Sequence, residues 1–285
     1  FVFREFLVGS VLCIRDRSTT VGMTKAYVET KGAAANAMAY YARSDMVVVD
    51  MGINADMSGV PNLLDRKIAR GTKNIAQGPA MTRLEAIRAI ETGIEIADEK
   101  AREGYRVFTI GEMGISNTTS SACILGAFNH WNAIEVTGRG TNISDERLRH
   151  KIDVVQRAMD VNHPDPNDGL DVLSKVGGFE YGCMTGVILG AAANHALTII
   201  DGFNTTASAF IAKALCPEVV HYLMASHLSL EQAHKKSLAA LGLTEYIDLD
   251  FRLGEAIGAG IQTRMLDYAL SVYRECAAKE EEVKA

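Results

Sequence analysis

The sequence predicts an α/β protein, built on a parallel Rossmann-like sheet flanked by helices, with a small helical domain. Short apolar runs typical of buried strands alternate with helical segments, which is the pattern of a parallel sheet. Three of these runs end in an acid next to a glycine, in Asp50-Met-Gly52, Gly111-Glu-Met-Gly114 and Asp201-Gly-Phe203. Acids and glycines at strand ends are expected where the carboxyl edge of such a sheet forms a ligand cleft.

The length and composition set the domain organisation and exclude several functions. The chain has 285 residues, of which 48% are hydrophobic, enough for a substantial core. We assign 46–215 to the main α/β domain, and 1–45 with 216–285 to a helical small domain and dimer-contacting segments. The net charge of −6 argues against nucleic acid as a partner, whereas a small anion needs only a local pocket.

The cysteines and the hydropathy pattern indicate a cytoplasmic protein. The 5 cysteines form no CxxC pair, so neither a zinc site nor a disulfide framework is expected. No apolar run is long enough to span a membrane, and no signal peptide is recognisable. We therefore expect no membrane partner. The chain begins at Phe1 rather than at Met, which leaves open an N-terminal piece.

The first part of the chain is the least informative. Residues 1–17 mix apolar and charged side chains and predict no particular element. The Ala-rich stretch 24–42 suits a helix, and 46–50 is typical of a buried strand. Residues 62–78 are expected to form an irregular loop.

The middle of the chain has the clearest signals. The pattern Thr82-Arg-Leu-Glu85 is a capping box, and apolar positions at helical spacing follow it up to Gly104. Residues 105–110 indicate a buried strand and 122–128 a packed helix. Further helices are expected after Ser144, over 184–193 and through most of the chain beyond Glu218, and a strand over 196–200.

The loop between that strand and helix carries the strongest candidate site. Glu112 lies between two glycines, and Ser116 to Ser121 all have hydroxyl or amide side chains. A strand, loop and helix start of this kind directs N–H groups and hydroxyls to one spot, which suits a phosphate or carboxylate. The alternative is a turn followed by an ordinary Ser/Thr helix cap.

Other charged residues are weaker candidates taken alone. Glu255 is a lone acid in an apolar, Gly-flanked segment, where desolvation would make it a base. Lys151 and Arg139 could bind an anion or simply be solvated. Lys175 has a stronger claim, because two following glycines would let a ligand approach the backbone. The glycine-rich segments match neither a Walker loop nor GxGxxG, which argues against nucleotide triphosphate hydrolysis and dinucleotide binding.

Several motifs resemble those of the nicotinate-nucleotide:dimethylbenzimidazole phosphoribosyltransferases, in order from about residue 46 to 265. The motifs are Asp50-Met-Gly-Ile53, Arg70-Gly-Thr-Lys-Asn-Ile-Ala-Gln-Gly-Pro-Ala-Met-Thr-Arg-Leu-Glu85, Gly111-Glu-Met-Gly-Ile-Ser-Asn-Thr-Thr119, Lys151-Ile-Asp-Val-Val155, Pro166-Asn-Asp-Gly-Leu-Asp-Val-Leu-Ser-Lys-Val-Gly-Gly-Phe179, Met184-Thr-Gly-Val-Ile-Leu-Gly-Ala-Ala192 and Asp201-Gly-Phe203.

The resemblance implies a pentosyltransferase. Such an enzyme moves phosphoribose from nicotinate mononucleotide to a lower-ligand base of cobalamin-type coenzymes, with inversion at the anomeric carbon, and releases nicotinate. It implies no metal and no cofactor, since nicotinate mononucleotide is a substrate. It also implies a dimer with a parallel-sheet domain and a small helical domain.

The resemblance also implies roles for individual residues. Glu255 falls on the general base, and Glu112 on the acid beside the ribose and base pocket. The nucleotide and phosphate would be held by a larger set. That set is Gly114, Ser116, Asn117, Thr118, Thr119, Gly138, Gly140, Lys151, Lys175, Asp201, Gly202 and Phe203. Among these, Lys175 is our own addition on the strength of its neighbouring glycines.

Two departures from the family pattern leave the acceptor open. The segment Gly254-Glu-Ala-Ile-Gly258 stands where the family has Gly-Glu-Gly-Ser-Gly, and no Asp-His-Gly motif is recognisable near Asp16. We take this as the basis for a hypothesis of a divergent branch that acts on phenol or p-cresol as a heterodimer of two related chains. The alternatives are a catalytically weak or structural subunit of such a heterodimer, and an unrelated α/β sugar-phosphate binder.

Overall fold

The computed structural model describes residues 3–10, 17–140, 142–250 and 253–283, and side chains within these ranges from residue 19 to residue 276. The strands are β1 (Phe3–Ser10), β2 (Ser44–Gly52), β3 (Leu63–Asp65), β4 (Val107–Met113), β5 (Leu197–Ile200) and β6 (Leu223–Ala225). The α-helices are α1 (Arg17–Lys25), α2 (Ala34–Ala42), α3 (Arg83–Arg102), α4 (Asn117–Asn129), α5 (Ala133–Val136), α6 (Asp145–Asn162), α7 (Gly169–Val176), α8 (Phe179–Ala193), α9 (Phe203–Leu215), α10 (His234–Leu241) and α11 (Ile257–Val283). A π-helical turn spans Ala26–Thr30, and a 3₁₀ helix spans Pro217–Tyr222.

The six described strands form one parallel sheet in the order β3-β2-β1-β4-β5-β6. This is the doubly wound order, in which the strand sequence reverses direction between β1 and β4 and opens a crevice at the carboxyl edge. The prediction of a parallel Rossmann-like sheet flanked by helices is confirmed.

The sheet extends beyond the range predicted for the main domain. Strand β1 lies at its centre, with Phe3 opposite Ser44 on β2 and Val107 on β4, although residues 1–17 had predicted no element. Strand β6 also lies outside 46–215. The sheet therefore includes strands on both sides of 46–215, and the division into a main α/β domain and a small helical domain stays a prediction.

The helix caps predicted from sequence are present. Thr82 Oγ1 accepts a hydrogen bond from Glu85 N at 3.2 Å, and Glu85 Oε2 accepts one from Thr82 N at 2.7 Å, so the capping box begins α3. Ser144 likewise caps α6. The loop predicted over 62–78 contains the short edge strand β3, whose three residues are too few to show an alternating pattern.

Helix α8 supports the sheet beneath the site. It packs on α3 and contacts β1, β2, β4 and β5, and its Phe179 and Tyr181 are fully buried, as are Phe108 and Ile110 on β4. Helix α11 contacts β4, β5 and α2. This packing holds the carboxyl ends of the central strands in place. Within the described ranges, no helix has both the length and the apolarity to cross a bilayer.

Candidate active site

A cleft of about 690 Å³ opens at the carboxyl ends of β4, β5 and β6. Its volume suits a nucleotide-sized ligand. It is lined by most of the predicted site residues, namely Glu112, Gly114, Ser116, Asn117, Thr118, Thr119, Gly140, Lys151, Asp201, Gly202, Phe203 and Glu255. Two predicted residues, Gly138 and Lys175, do not line it.

Glu112 ends β4 as a buried acid held by neutral donors. Asn117 Nδ2 donates to its Oε2, and Asn204 Nδ2 donates to its Oε1 at 2.8 Å. Burial raises the pKa of Glu112 to about 7, although the two amides lower it and the charges of Asp201 and Glu255 raise it further. This carboxyl can therefore gain or lose a proton near neutral pH.

Glu255 lies on a strained loop directly before α11. Its φ is +61° and that of Ala256 is +62°, a left-handed conformation that costs a non-glycine residue on the order of 1 kcal/mol. The loop packs on Gly111, where a Cβ atom would lie 2.4 Å from Ala256 N. The Asp201 carboxylate accepts hydrogen bonds from the amides of this loop and of the first turn of α11, including that of Ala259 at 3.0 Å. Asp201 therefore stabilises the conformation that brings Glu255 to the cleft.

Among the described residues, no lysine or arginine shifts the pKa of Glu112, Asp201 or Glu255. Burial raises the pKa of Glu255, the charge of Asp201 raises it further, and the Tyr27 hydroxyl lowers it. Burial also raises the pKa of Asp201 to about 6 and lowers that of His227 to about 4. His227 Nδ1 lies 3.6 Å from Asp201 Oδ1, but the imidazole is neutral at pH 7, so the two do not form an ion pair there.

The opposite side of the cleft is suited to an anion. Ser116 precedes α4 with a φ of +75° and makes no side-chain hydrogen bond to the helix, so the predicted alternative of an ordinary Ser/Thr cap is wrong. Lys151 Nζ donates to Thr118 Oγ1 at 2.8 Å and to the Gly138 carbonyl at 3.0 Å. An ammonium group beside a helix N-terminus without a side-chain cap is a ready site for a phosphate.

Gly138 has a supporting role in this anion site. A Cβ atom at Gly138 would lie 1.8 Å from Glu231 Oε2, and Glu231 Oε1 accepts a hydrogen bond from Gly140 N at 2.7 Å. The buried Glu231 thus holds the glycine turn against the cleft. Arg139 lines the cleft and is paired with Asp145.

The structure does not bring Lys175 to this cleft. Its Nζ lies 2.9 Å from Asp171 Oδ2 and donates to the His163 carbonyl at 3.1 Å, and it lines a separate cavity of about 600 Å³. The glycines that favoured it, Gly177 and Gly178, mark the junction between α7 and α8. The expectation that Lys175 contacts the same ligand is not supported by its position.

Several cleft residues were missed from the sequence, and three that make polar contacts in the site are Asn204, His227 and Glu231. A signal existed for two of them, because His227-Leu-Ser-Leu-Glu231 alternates polar residues with leucine directly after the strand β6. Asn204 follows the Asp201-Gly-Phe203 motif, but nothing in the sequence indicated that it would reach Glu112. Across the described part of the chain, no group of three or more His, Cys, Asp or Glu residues is arranged to hold a metal ion.

An anion site facing buried carboxylates at the carboxyl edge of a parallel sheet is the arrangement expected of an enzyme that acts on a phosphorylated substrate. A family model described as "Phosphoribosyltransferase" matches residues 13–283. Nicotinate-nucleotide:dimethylbenzimidazole phosphoribosyltransferases from Geobacter metallireducens and Syntrophotalea carbinolica are 44% and 46% identical to the chain. These matches cover 86% and 91% of this chain, and 70% and 74% of the relatives.

A solved structure of this family also matches the fold of the chain. The crystal structure of CobT from Thermus thermophilus superimposes with a TM-score of 0.89 at 35% identity, covering 94% of this chain and 82% of that one. The chain therefore belongs to the nicotinate-nucleotide:dimethylbenzimidazole phosphoribosyltransferase family, and it is a pentosyltransferase.

Proposed function

We propose that this chain moves phosphoribose from nicotinate mononucleotide to a lower-ligand base, giving an α-ribotide and nicotinate for the nucleotide loop of a cobamide. The observation that carries the proposal is the cleft itself. An ammonium group and a helix N-terminus without a side-chain cap lie on one side of it, with Glu112 and Glu255 on the other. A nucleotide bound with its phosphate at Lys151 would extend toward these carboxylates.

In the proposed reaction Glu255 is the general base. A nitrogen of the azole acceptor, or the oxygen of a phenol, attacks the anomeric carbon of the ribose from the face opposite nicotinate. The proton of the acceptor's N–H or O–H group passes to the Glu255 carboxylate. The bond from the anomeric carbon to the nicotinate nitrogen breaks, and its electron pair neutralises the pyridinium charge. Nicotinate therefore leaves without an acid, and the configuration inverts from β to α. A base placed in this way contributes ~10²–10⁴-fold.

The other cleft residues would bind and orient the nucleotide. In this proposal the phosphate is bound by Lys151, Thr118 and the first turn of α4, which meet on one side of the cleft. The ribose is bound by the Glu112 carboxyl with its amide partner Asn204. We propose that no resident cofactor takes part, because the pyridinium of nicotinate mononucleotide already supplies a good leaving group. Orientation and charge stabilisation then supply the rest of the rate.

The acceptor stays a choice between dimethylbenzimidazole and a phenol such as p-cresol. The phenol hypothesis was based in part on Ala256 and Ile257. Both are buried, Ala256 packs with Val107 and Ile199, and neither lines the cleft as described. Their side chains therefore give no support to a more apolar pocket, and the other part of the hypothesis, the altered segment near Asp16, lies partly outside the described residues.

We propose further that the chain works as a dimer with a second copy or with a related chain. Helices α2 and α11 pack together and leave large apolar side chains in solvent. These are Tyr40, Tyr41, Met265, Tyr268, Val272 and Tyr273. An aromatic surface of this kind is typical of a protein interface. The alternative of a structural subunit is disfavoured by the presence of both Glu112 and Glu255 in the cleft. A cytoplasmic location stays a prediction.

A mass-spectrometric transfer assay tests the function. The purified chain is incubated with nicotinate mononucleotide and either dimethylbenzimidazole or p-cresol, alone and with a related chain encoded beside it. An azole ribotide from the chain alone supports the ordinary enzyme, and a phenolic ribotide formed only with the partner supports the heterodimeric branch. No ribotide in any arm, or full activity of a heterodimer in which this chain carries Glu255→Gln, would overturn the proposed catalytic role.

A further inference from the structure

Tyr27 is a buried tyrosine whose hydroxyl lies at the proposed base. It belongs to the π-helical turn Ala26–Thr30 and is only 1% exposed. Its ring packs in an apolar cluster with Val28 and Val48, which Met113 adjoins. Single turns of π-helix are rare and occur often at functional sites. The position of Tyr27 in such a turn, beside the cleft, therefore calls for a functional explanation.

Two buried oxygen atoms at this point have no regular partner within the described structure. They are Tyr27 Oη and Glu255 Oε2. The Tyr27 hydroxyl nevertheless acts on Glu255 as a hydrogen-bonding side chain and lowers the pKa of that carboxyl. A buried hydroxyl or carboxylate left without a partner is costly, so each oxygen has a reason to pair with the other.

The backbone around Tyr27 is held in place from two sides. Asn36 Nδ2 donates to the Tyr27 carbonyl at 2.9 Å, and Asn62 Nδ2 donates to the Val28 carbonyl at 3.3 Å. These bonds tie the π-helical turn to α2 and to the start of β3. The hydroxyl is thereby presented to Glu255 from the side of the N-terminal helices, whereas Asp201 holds the Glu255 loop from the side of the sheet.

We propose that Tyr27 is a positioning residue for the transfer, whose hydroxyl donates a hydrogen bond to Glu255 Oε2 and favours the ionised carboxylate that accepts the acceptor's proton. The inference rests on the proposed function, in which Glu255 is the base. Tyr27 itself does not line the cleft and touches no reacting atom.

The charged groups around Glu255 make this contact important. Glu112 on β4 and Asp201 after β5 are both acidic, and the charge of Asp201 raises the pKa of Glu255 in addition to burial. Among the described residues, His227 after β6 is a further titratable neighbour, and it contacts Asp201 and is neutral at pH 7. The Tyr27 hydroxyl is the group that lowers the pKa of Glu255. Removal of the hydroxyl therefore raises the pKa of Glu255. On acidification the carboxylate is then protonated, and no longer a base, at a higher pH than in the wild type.

The test is the pH profile of kcat/KM for ribotide formation by Tyr27→Phe, with Tyr105→Phe as the matched control. Tyr105 is also buried and also donates its hydroxyl to a carboxylate, that of Asp45, but it lies at the amino-terminal edge of the sheet. For Tyr27→Phe we expect kcat/KM to fall roughly tenfold on the acidic side and less than about twofold on the alkaline side. The KM for nicotinate mononucleotide should be unchanged, and Tyr105→Phe should leave the profile in place.

An unshifted profile for Tyr27→Phe, or a loss equal at every pH, would overturn the inference. If that variant does not fold, the ¹³Cζ-tyrosine spectra of the wild type and of Glu255→Gln decide instead. One buried tyrosine resonance should move when the carboxylate is removed. If the contact is absent, no tyrosine resonance should move. The two proposals fail separately. Full activity of Glu255→Gln contradicts the proposed base, whereas an inactive Glu255→Gln with an unshifted Tyr27→Phe contradicts only the role of Tyr27.

Discussion

Asp50 and Glu112 end two strands of the same sheet edge, and both are buried, but their surroundings differ. The Asp50 carboxylate accepts hydrogen bonds from Gly52 N at 3.0 Å and Ile53 N at 2.8 Å, and Lys67 Nζ lies 3.0 Å from its Oδ2. Glu112 instead receives the neutral amides of two asparagines. Burial raises the pKa of both acids, but at Asp50 the Lys67 ammonium opposes the shift, whereas Glu112 reaches about 7.

The difference separates a structural acid from one suited to chemistry. The Asp50 carboxylate, paired with Lys67, stabilises a turn and does not line the cleft. A buried carboxylate with neutral donors keeps its proton near neutral pH and can exchange it. Within the described part of the chain, no lysine or arginine acts on Glu255 or Asp201 either. We therefore expect substitutions in the cleft to affect turnover and substitutions at Asp50 to affect stability.

The largest effect is expected at Glu255. In Glu255→Gln the side chain keeps its size but can no longer accept the acceptor's proton, so kcat should fall by ~10²–10⁴-fold. Nicotinate mononucleotide should still bind, because in the proposed binding mode its phosphate contacts Lys151 rather than Glu255. Single-turnover assays with calorimetric binding measure both. Unchanged turnover, or loss of binding together with turnover, would contradict the role of Glu255 as a base.

At Asp50 we expect a loss of stability rather than a loss of turnover. Asp50→Asn leaves the Lys67 ammonium, whose side chain is only 19% exposed, without its counter-charge, so the free energy of unfolding should fall by about 3 kcal/mol. The kcat of the folded enzyme should stay within about twofold. Asp56→Asn is the control, because Asp56 is exposed and is hydrogen-bonded to Ser58. Denaturant unfolding of the three proteins checks this, and equal stability of Asp50→Asn and wild type would show that the ion pair is not structural.

The same comparison applies to two lysines. Lys151 is desolvated in the cleft, which lowers its pKa, while the charge of Glu231 raises it. Lys151→Ala should raise the KM for nicotinate mononucleotide about tenfold or more, as expected for loss of a charge-assisted hydrogen bond to phosphate. Lys175→Ala should change that KM less than about twofold. Steady-state kinetics distinguish them, and a larger effect at Lys175 would place the phosphate in the other cavity.

The sequence was sufficient for those parts of the structure that depend on local signals. The capping box at Thr82, the buried strand after Gly104 and the glycine-flanked Glu112 could each be recognised from neighbouring residues. The cleft was predictable because acids and glycines followed strands of a parallel sheet, although only two of the three strand ends, those at Glu112 and Asp201, line it. Residues 3–10 gave no such signal, yet they pair with β2 and β4 at the centre of the sheet.

Contacts between distant residues could not be predicted in the same way. Asn204 reaches Glu112 across 92 positions of sequence, and Tyr27 lies at Glu255 only because two ends of the chain meet beside the sheet. Lys175 shows that a local signal can also mislead. The glycines that follow it suggested a ligand, but they belong to the junction between α7 and α8. Asp50 and Glu112 look alike in sequence, and only the position of Lys67 distinguishes them.

The central claim is that Glu112 is held in the cleft by neutral amide donors and therefore titrates near neutral pH. It is tested most directly by a ¹³C-carboxyl NMR titration of the glutamate-labelled protein, with the Glu112 resonance assigned by its loss in Glu112→Gln. Burial in the folded state raises the pKa of Glu112 from 4.5. Its contribution to stability is therefore present below about pH 4.5 and is lost as the pH rises through about 7. We expect the resonance to titrate near pH 7. A midpoint at the ordinary value of a solvated glutamate would contradict the account.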